Sequence, residues 1–170
     1  MFAGLKKKTG PVTLDTLACS SLLAGLTREE LACLVGSVCT RRLGKGEQVF
    51  REGESGEELF IVEEGRVAIS KAVKGNLEQV LAHMGPGDFF GEIALLEKVP
   101  RTASASAEED CVLLVINQAD LFGLMDKEPR AAARIMYNLL KAFTSRLQDT
   151  NEQVREALRW GLEATGYQPE

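Results

Sequence analysis

The chain is poor in imidazole, the side chain whose charge changes most readily near neutral pH. It has one histidine, His83, and one tryptophan. A single imidazole cannot build a His-based catalytic or metal centre by itself. The four cysteines, Cys19, Cys33, Cys39 and Cys111, include no pair close enough to suggest two metal ligands. Reduced, mostly buried thiols are the reading that follows. No run of about 20 apolar residues occurs, so no membrane-spanning helix is expected. Lys6, Lys7 and Lys8 near the start are not followed by the apolar run of an export signal, so a cytoplasmic location is expected. Positive charge is not in excess either. Lys and Arg number 20 against 25 Asp and Glu, a net charge of −5, which argues against a protein that coats nucleic acid. A phosphate loop of the GxxxxGK type is also missing.

The chain does have a sizeable apolar content, 45% over 170 residues, enough for one domain plus an accessory element. Four segments are expected: a basic tail over 1–13, a main domain over 14–128, a long helix over 129–160 and a tail over 161–170. Leu14 to Leu26 is apolar at helical spacing. Thr27-Arg28-Glu29-Glu30 reads as a capping box that starts a helix running to about Ser37. From Cys39 onward, short runs rich in Val, Ile and Phe are punctuated by glycine. Glu47–Arg51, Leu59–Glu63, Val67–Val73, Gln79–His83 and Cys111–Asn117 read as strands. Turn signals every 8–12 residues or so suggest a sandwich or small barrel. Gly65-Arg66 and Lys74-Gly75-Asn76 read as hairpin tips. Gln118–Met125 reads as a short helix, and Pro129 suits the first turn of a long one. In that helix Met136, Leu140, Phe143, Leu147, Thr150, Val154 and Ala157 recur in steps of four and three, a heptad-like seam with one polar member.

The most informative stretch runs from Phe89 to Ala103, with Gly91-Glu92-Ile93-Ala94-Leu95-Leu96 at one end and Pro100-Arg101-Thr102-Ala103 at the other. A lone carboxylate follows a glycine at the start of a short apolar run, and a lone arginine follows nine positions later. Such a segment can hold a sugar hydroxyl on the carboxylate and a phosphate on the planar guanidinium fork. Backbone N–H groups at a helix start would add to the phosphate site. That chemistry binds a nucleotide without a metal.

This segment resembles the phosphate-binding cassette of cyclic nucleotide-binding domains, which occur in the bacterial catabolite activator protein, protein kinase regulatory subunits and cyclic nucleotide-gated channels. The resemblance extends beyond the cassette, through Lys45-Gly46-Glu47, Phe50 and Gly53, Leu59-Phe60-Ile61-Val62 with Gly65 and Val67, and Gly87-Asp88. It implies an α+β fold, a β-roll (a jelly-roll-like antiparallel barrel) flanked by N-terminal helices and a long C-terminal helix. It also implies a regulatory protein rather than an enzyme, with cAMP or cGMP as ligand and no other cofactor. Glu92 matches the residue that takes the ribose 2′-hydroxyl and Arg101 the one that takes the phosphate. Ala94 matches a phosphate-binding amide, and Gly91 keeps the backbone approachable. Ile93, Thr102 and Ala103 complete the expected ligand-binding set; a Thr at 102 is compatible with adenine and guanine nucleotides alike. Ser145 to Val154 resembles the dimer helix of the catabolite activator, where Thr150 and Asn151 match base-contacting positions. A homodimer through that helix and an effector protein in trans are the expected partners, with no nucleic acid and no membrane. The residues after Trp160 are too few for a recognition helix and its support, which points to a sensor without its own DNA-binding output.

Plainer readings stand beside these. Glu92 and Arg101 could form a buried ion pair that only closes a loop, and the seam could pack on its own barrel. The protein would then be an interaction module with an empty pocket. The cysteines loosely copy the iron–sulfur layout of some activator relatives but lack its close spacing, which leaves a redox sensor as the weakest alternative.

Overall fold

The computed structural model describes residues 12–74, 77–97 and 99–166. Most of the tail expected over 1–13, the hairpin-tip residues Gly75 and Asn76, and the final four residues lie outside that range. The chain divides into two compact units, one up to Ile135 and the other from Met136.

Thr13 opens the first unit as the N-cap of α1 (Leu14–Ala18). The helix expected to continue to Leu26 stops there. The Ser20 hydroxyl accepts from the Leu22 N–H at 3.2 Å and starts a separate 3₁₀ turn, Ser21–Leu23. The capping box at Thr27 forms as read. The Glu30 N–H donates to Thr27 Oγ1 at 3.2 Å, and the Thr27 N–H donates to Glu30 Oε2 at 2.8 Å, which starts α2 (Arg28–Val35).

Eight strands follow: β1 (Val38–Leu43), β2 (Gln48–Phe50), β3 (Glu58–Glu64), β4 (Val67–Lys74), β5 (Leu77–Met84), β6 (Phe89–Phe90), β7 (Ser104–Ala107) and β8 (Cys111–Asn117). They form two four-stranded antiparallel sheets, ordered β1-β8-β3-β6 and β2-β7-β4-β5. The two sheets enclose a core that includes Phe60, Val62, Val67, Phe90, Leu113 and Val115. Leu59–Val62 and Cys111–Ile116 are buried on both faces, which is why β3 and β8 read as continuous apolar runs rather than alternating ones. β5, at an edge, is mostly exposed.

One turn differs from the reading. Gly65-Arg66 is not a hairpin tip. β3 pairs with β6 and β8, whereas β4 pairs with β5 and β7, so this turn carries the chain from one sheet to the other. Gly65 is in the left-handed region at φ +86°, and an added Cβ would strike the Asp110 carbonyl. Lys74 and Leu77 do pair across a hairpin, as expected.

Between β6 and β7 lies α3 (Glu92–Leu96), and after β8 comes α4 (Gln118–Lys127), which packs on β8. α5 (Pro129–Ala164) begins in the first unit, where Ala131, Ala132 and Ile135 are buried, and forms the second. In that second unit Leu140, Leu147 and Val154 of the seam are exposed. The architecture is thus the α+β β-roll with N-terminal helices and a long C-terminal helix that the motifs implied. Among the described residues, no helix is long and apolar enough to cross a membrane.

The expectation of mostly buried thiols needs correction. Only Cys111 is buried; Cys39 is half-buried, and Cys19 and Cys33 are exposed. The helical stretches that carry Cys19 and Cys33 are short, and each buries one narrow face formed by leucines. His83 lies near the end of β5, with its Nδ1 2.8 Å from Glu108 Oε2.

Candidate functional site

The segment from Gly91 to Ala103 begins where β6 ends. Gly91 has φ +84° and ψ 5°, a left-handed conformation that turns the chain from strand into α3. No side chain fits there, since a Cβ would lie 2.8 Å from Arg101 Nη1 and 3.1 Å from the Glu58 carbonyl oxygen. Glu92 opens α3 and is 3% exposed. Ala94, two residues on, is buried, while Ile93 is exposed.

Arg101 returns to the same place from the far side of the loop. Its backbone is tied to the loop between β2 and β3: the Arg101 N–H donates to the Glu54 carbonyl, and the Gly53 N–H donates to the Arg101 carbonyl, both at 2.8 Å. Arg101 as a whole is 4% exposed. Its Nη1 donates to the carbonyl oxygens of Glu58 and Gly91, each at 2.9 Å. Its plane lies over aromatic carbon, with Cζ 4.2 Å from the Phe50 ring centroid and 5.6 Å from that of Phe60. Those rings pack with Phe90, the three centroids being 5.3–5.9 Å apart. The Nε of Arg101 has no hydrogen-bond partner.

A buried cation held by neutral carbonyls is costly, because carbonyl dipoles do not cancel its charge. Burial pushes the Arg101 pKa below its ordinary value. The charges of Glu58, Glu54 and Glu92 oppose that shift, and the nearby Arg41 adds to it. The guanidinium is therefore held in position with an unused donor in a dry environment, where an anion is bound more strongly than in water.

The remaining expected site residues fall in different places. Thr102 is exposed and Ala103 half-buried, both directly after Arg101. Thr150 and Asn151 are exposed on α5 in the second unit, and the Thr150 hydroxyl donates to the Arg146 carbonyl at 2.8 Å. The first unit thus brings Gly91, Glu92, Ala94 and Arg101 together, and the geometry also adds residues that the sequence reading missed. Phe50 and Phe60 form the surface beneath the guanidinium. Gly56 matters through its missing side chain, since a Cβ there would lie 2.5 Å from both Arg101 Nε and Nη2. Gly56 sits among several loop glycines, and nothing local distinguishes it from them. Among the described residues, no three His, Cys, Asp or Glu side chains cluster closely enough to hold a metal ion.

The family profile described as the cyclic nucleotide-binding domain matches residues 40–128, more than half of the chain. The chain is 33% identical over 132 residues to the cyclic AMP receptor protein of Thermus thermophilus, an alignment that covers 78% of this chain and 59% of that protein. It is 32% identical over 111 residues to the cAMP-dependent protein kinase regulatory subunit of Debaryomyces hansenii, which covers 65% of this chain and 24% of that one. The crystal structure of the Thermus thermophilus catabolite activator protein superposes with a TM-score of 0.71 at 31% identity, covering 81% of this chain and 63% of the other. The chain therefore spans less than two thirds of the length of these relatives. The family match, the two-sheet roll and the buried Glu92 and Arg101 of the cassette together make this chain a member of the cyclic nucleotide-binding domain family.

Proposed function

We propose that this protein is a regulatory sensor that binds cAMP or cGMP through the segment from Gly91 to Ala103 and does no catalysis of its own. The observation that carries this reading is the buried Arg101 guanidinium, fixed by two carbonyls with its Nε left without a partner, next to the buried Glu92. Arg101 takes the cyclic phosphate and Glu92 the ribose 2′-hydroxyl. Gly91 lets the sugar approach, and Ile93, Ala94, Thr102 and Ala103 line the remainder of the cassette. The relatives named for cyclic AMP support a cyclic nucleotide as the ligand class. Thr150 and Asn151 are assigned to an adenine base, while Thr102 is compatible with cAMP and cGMP alike.

Output is assigned to α5. Leu140, Leu147 and Val154 are exposed along one heptad-like seam, which suits a second copy of the chain. The dimer then passes the ligand's effect to a partner protein. A ligand can drive such a change only through different affinities for the two arrangements. An Arg101→Ala protein tests the site assignment by fluorescence titration with a labelled cyclic nucleotide. The expected loss is about 2–5 kcal/mol of binding free energy, the cost of truncating one partner of a buried charge pair. Undiminished binding by this variant would remove the assignment.

A further inference from the structure

Arg41 occupies a place where the strand pattern calls for an apolar residue. On β1, Cys39, Arg41 and Leu43 pair with Val115, Leu113 and Cys111 of β8. All three partners, and Leu43 itself, belong to the interior core of the roll. Residues directly opposite on antiparallel strands share a face, so Arg41 enters from the interior face as well. Its Nη2 donates to the Val49 carbonyl at 3.1 Å, and its Cζ lies 5.8 Å from the Phe60 ring centroid. Arg101 lies 5.6 Å from that same centroid. Two guanidinium groups thus converge on one ring.

Both are also incomplete in the same way. Among the described residues, the buried side-chain nitrogen and oxygen atoms without a hydrogen-bond partner are two, Arg41 Nε and Arg101 Nε. An orphaned buried donor is costly, and a second like charge nearby adds to the cost. Burial lowers the basicity of both arginines; Glu58 and Glu47 oppose this at Arg41, Glu58, Glu54 and Glu92 oppose it at Arg101, and Arg41 lowers that of Arg101 further. Two unused donors and two positive charges around one ring are what a single anion would relieve.

We propose that Arg41 is a second cation of the anion site, which together with Arg101 holds a phosphate-bearing ligand against Phe60. This inference rests on the cyclic-nucleotide reading of the site for its ligand, but its residue is outside the cassette and does not follow from the cassette motif. A purely structural arginine, kept only to tie β1 to the Val49 carbonyl, is the rival explanation.

Arg41→Met and Arg41→Lys separate the two. With cAMP in a calorimetric titration, Arg41→Met is expected to bind at least about tenfold more weakly than wild type, within the roughly thousandfold that one charge at about 4 Å and an effective dielectric of about 20 can supply. Its affinity should also depend less on salt concentration. Arg41→Lys keeps the charge and loses Nε, and should fall between the two. Wild-type affinity in Arg41→Met would overturn the proposal. Should that variant not fold, Arg41→Lys decides, with unchanged affinity counting against a role for Nε. Should wild type bind neither cAMP nor cGMP, the cyclic-nucleotide reading fails separately. The two-cation site is then judged by the thermal shift with inorganic pyrophosphate. A shift in wild type that is smaller in Arg41→Met supports it, and equal shifts overturn it.

Discussion

Gly56→Ala is a one-methyl perturbation aimed at the guanidinium of Arg101. The new Cβ would lie 2.5 Å from Nε and from Nη2 and 2.6 Å from Cζ. Relief to ordinary contact needs a displacement of about 1 Å, because real Cβ contacts fall above roughly 3.4 Å. If the guanidinium moves, its two 2.9 Å bonds to the Glu58 and Gly91 carbonyls stretch out of hydrogen-bond range. Each is a bond from a charged donor, worth about 1.5–3 kcal/mol. If the loop moves instead, the paired 2.8 Å bonds that join Gly53 and Glu54 to the Arg101 backbone are strained. Either route disturbs Arg101, so Gly56→Ala is expected to lose about 2–4 kcal/mol of stability by denaturant unfolding. Misplacing the guanidinium by that distance should weaken cyclic nucleotide binding by about a hundredfold. Gly46→Ala is the control. Gly46 has φ +82° and open space around it, and its N–H bonds the Ala107 carbonyl, so alanine there strains the backbone by about 1 kcal/mol away from Arg101. The reasoning is refuted if Gly56→Ala binds and unfolds like wild type, or if the two variants lose affinity equally.

Three further outcomes are expected. Thr27→Ala removes the side-chain half of the capping box, leaving the Glu30 N–H without its acceptor, and should cost about 1 kcal/mol, seen as a fall in Tm of about 2–4 °C. Glu63 on β3 has its carboxyl pKa raised by burial first and by Glu64 second, with Arg42 opposing. A carboxyl raised in the folded state favours folding only while protonated, and that advantage is lost as pH rises through the folded value. Glu63→Gln should therefore stabilise the protein at pH 7 by about 0.5 kcal/mol, discounted for partial exposure, and give no gain below about pH 4. Denaturant titrations at the two pH values check this. On α5, wild type should sediment as a dimer and Leu147→Asp as a monomer, since Leu147 is 62% exposed at the middle of the seam.

Much of this fold was legible because its signals were local. β3 and β8 are unbroken apolar runs, and Thr27-Arg28-Glu29-Glu30 carries its own hydrogen bonds. The strands that went unread lack such signals. β7 is Ser-Ala-Ser-Ala, with no strand preference of its own, and becomes a strand by pairing with β2 and β4. β6 is only two residues long and is held by β3. β1 includes two adjacent arginines, which break the apolar alternation. The turn at Gly65-Arg66 has the composition of a hairpin, and only pairing with distant strands shows that it joins two sheets. The site divides in the same way. Glu92 and Arg101 stand out as lone charges in an apolar and glycine-rich context. Gly56, Phe50 and Arg41 act through contacts with residues far along the chain, which no local pattern records.

Isothermal titration calorimetry of the wild-type protein with cAMP, and separately with cGMP, tests the functional reading most directly. Arg101, held by two carbonyls with its Nε unpaired, predicts saturable heat with a Kd of about micromolar or tighter for at least one of them, roughly −8 kcal/mol. No heat from either nucleotide, in protein shown to be folded, would contradict it and leave α5 as the functional surface of an interaction module.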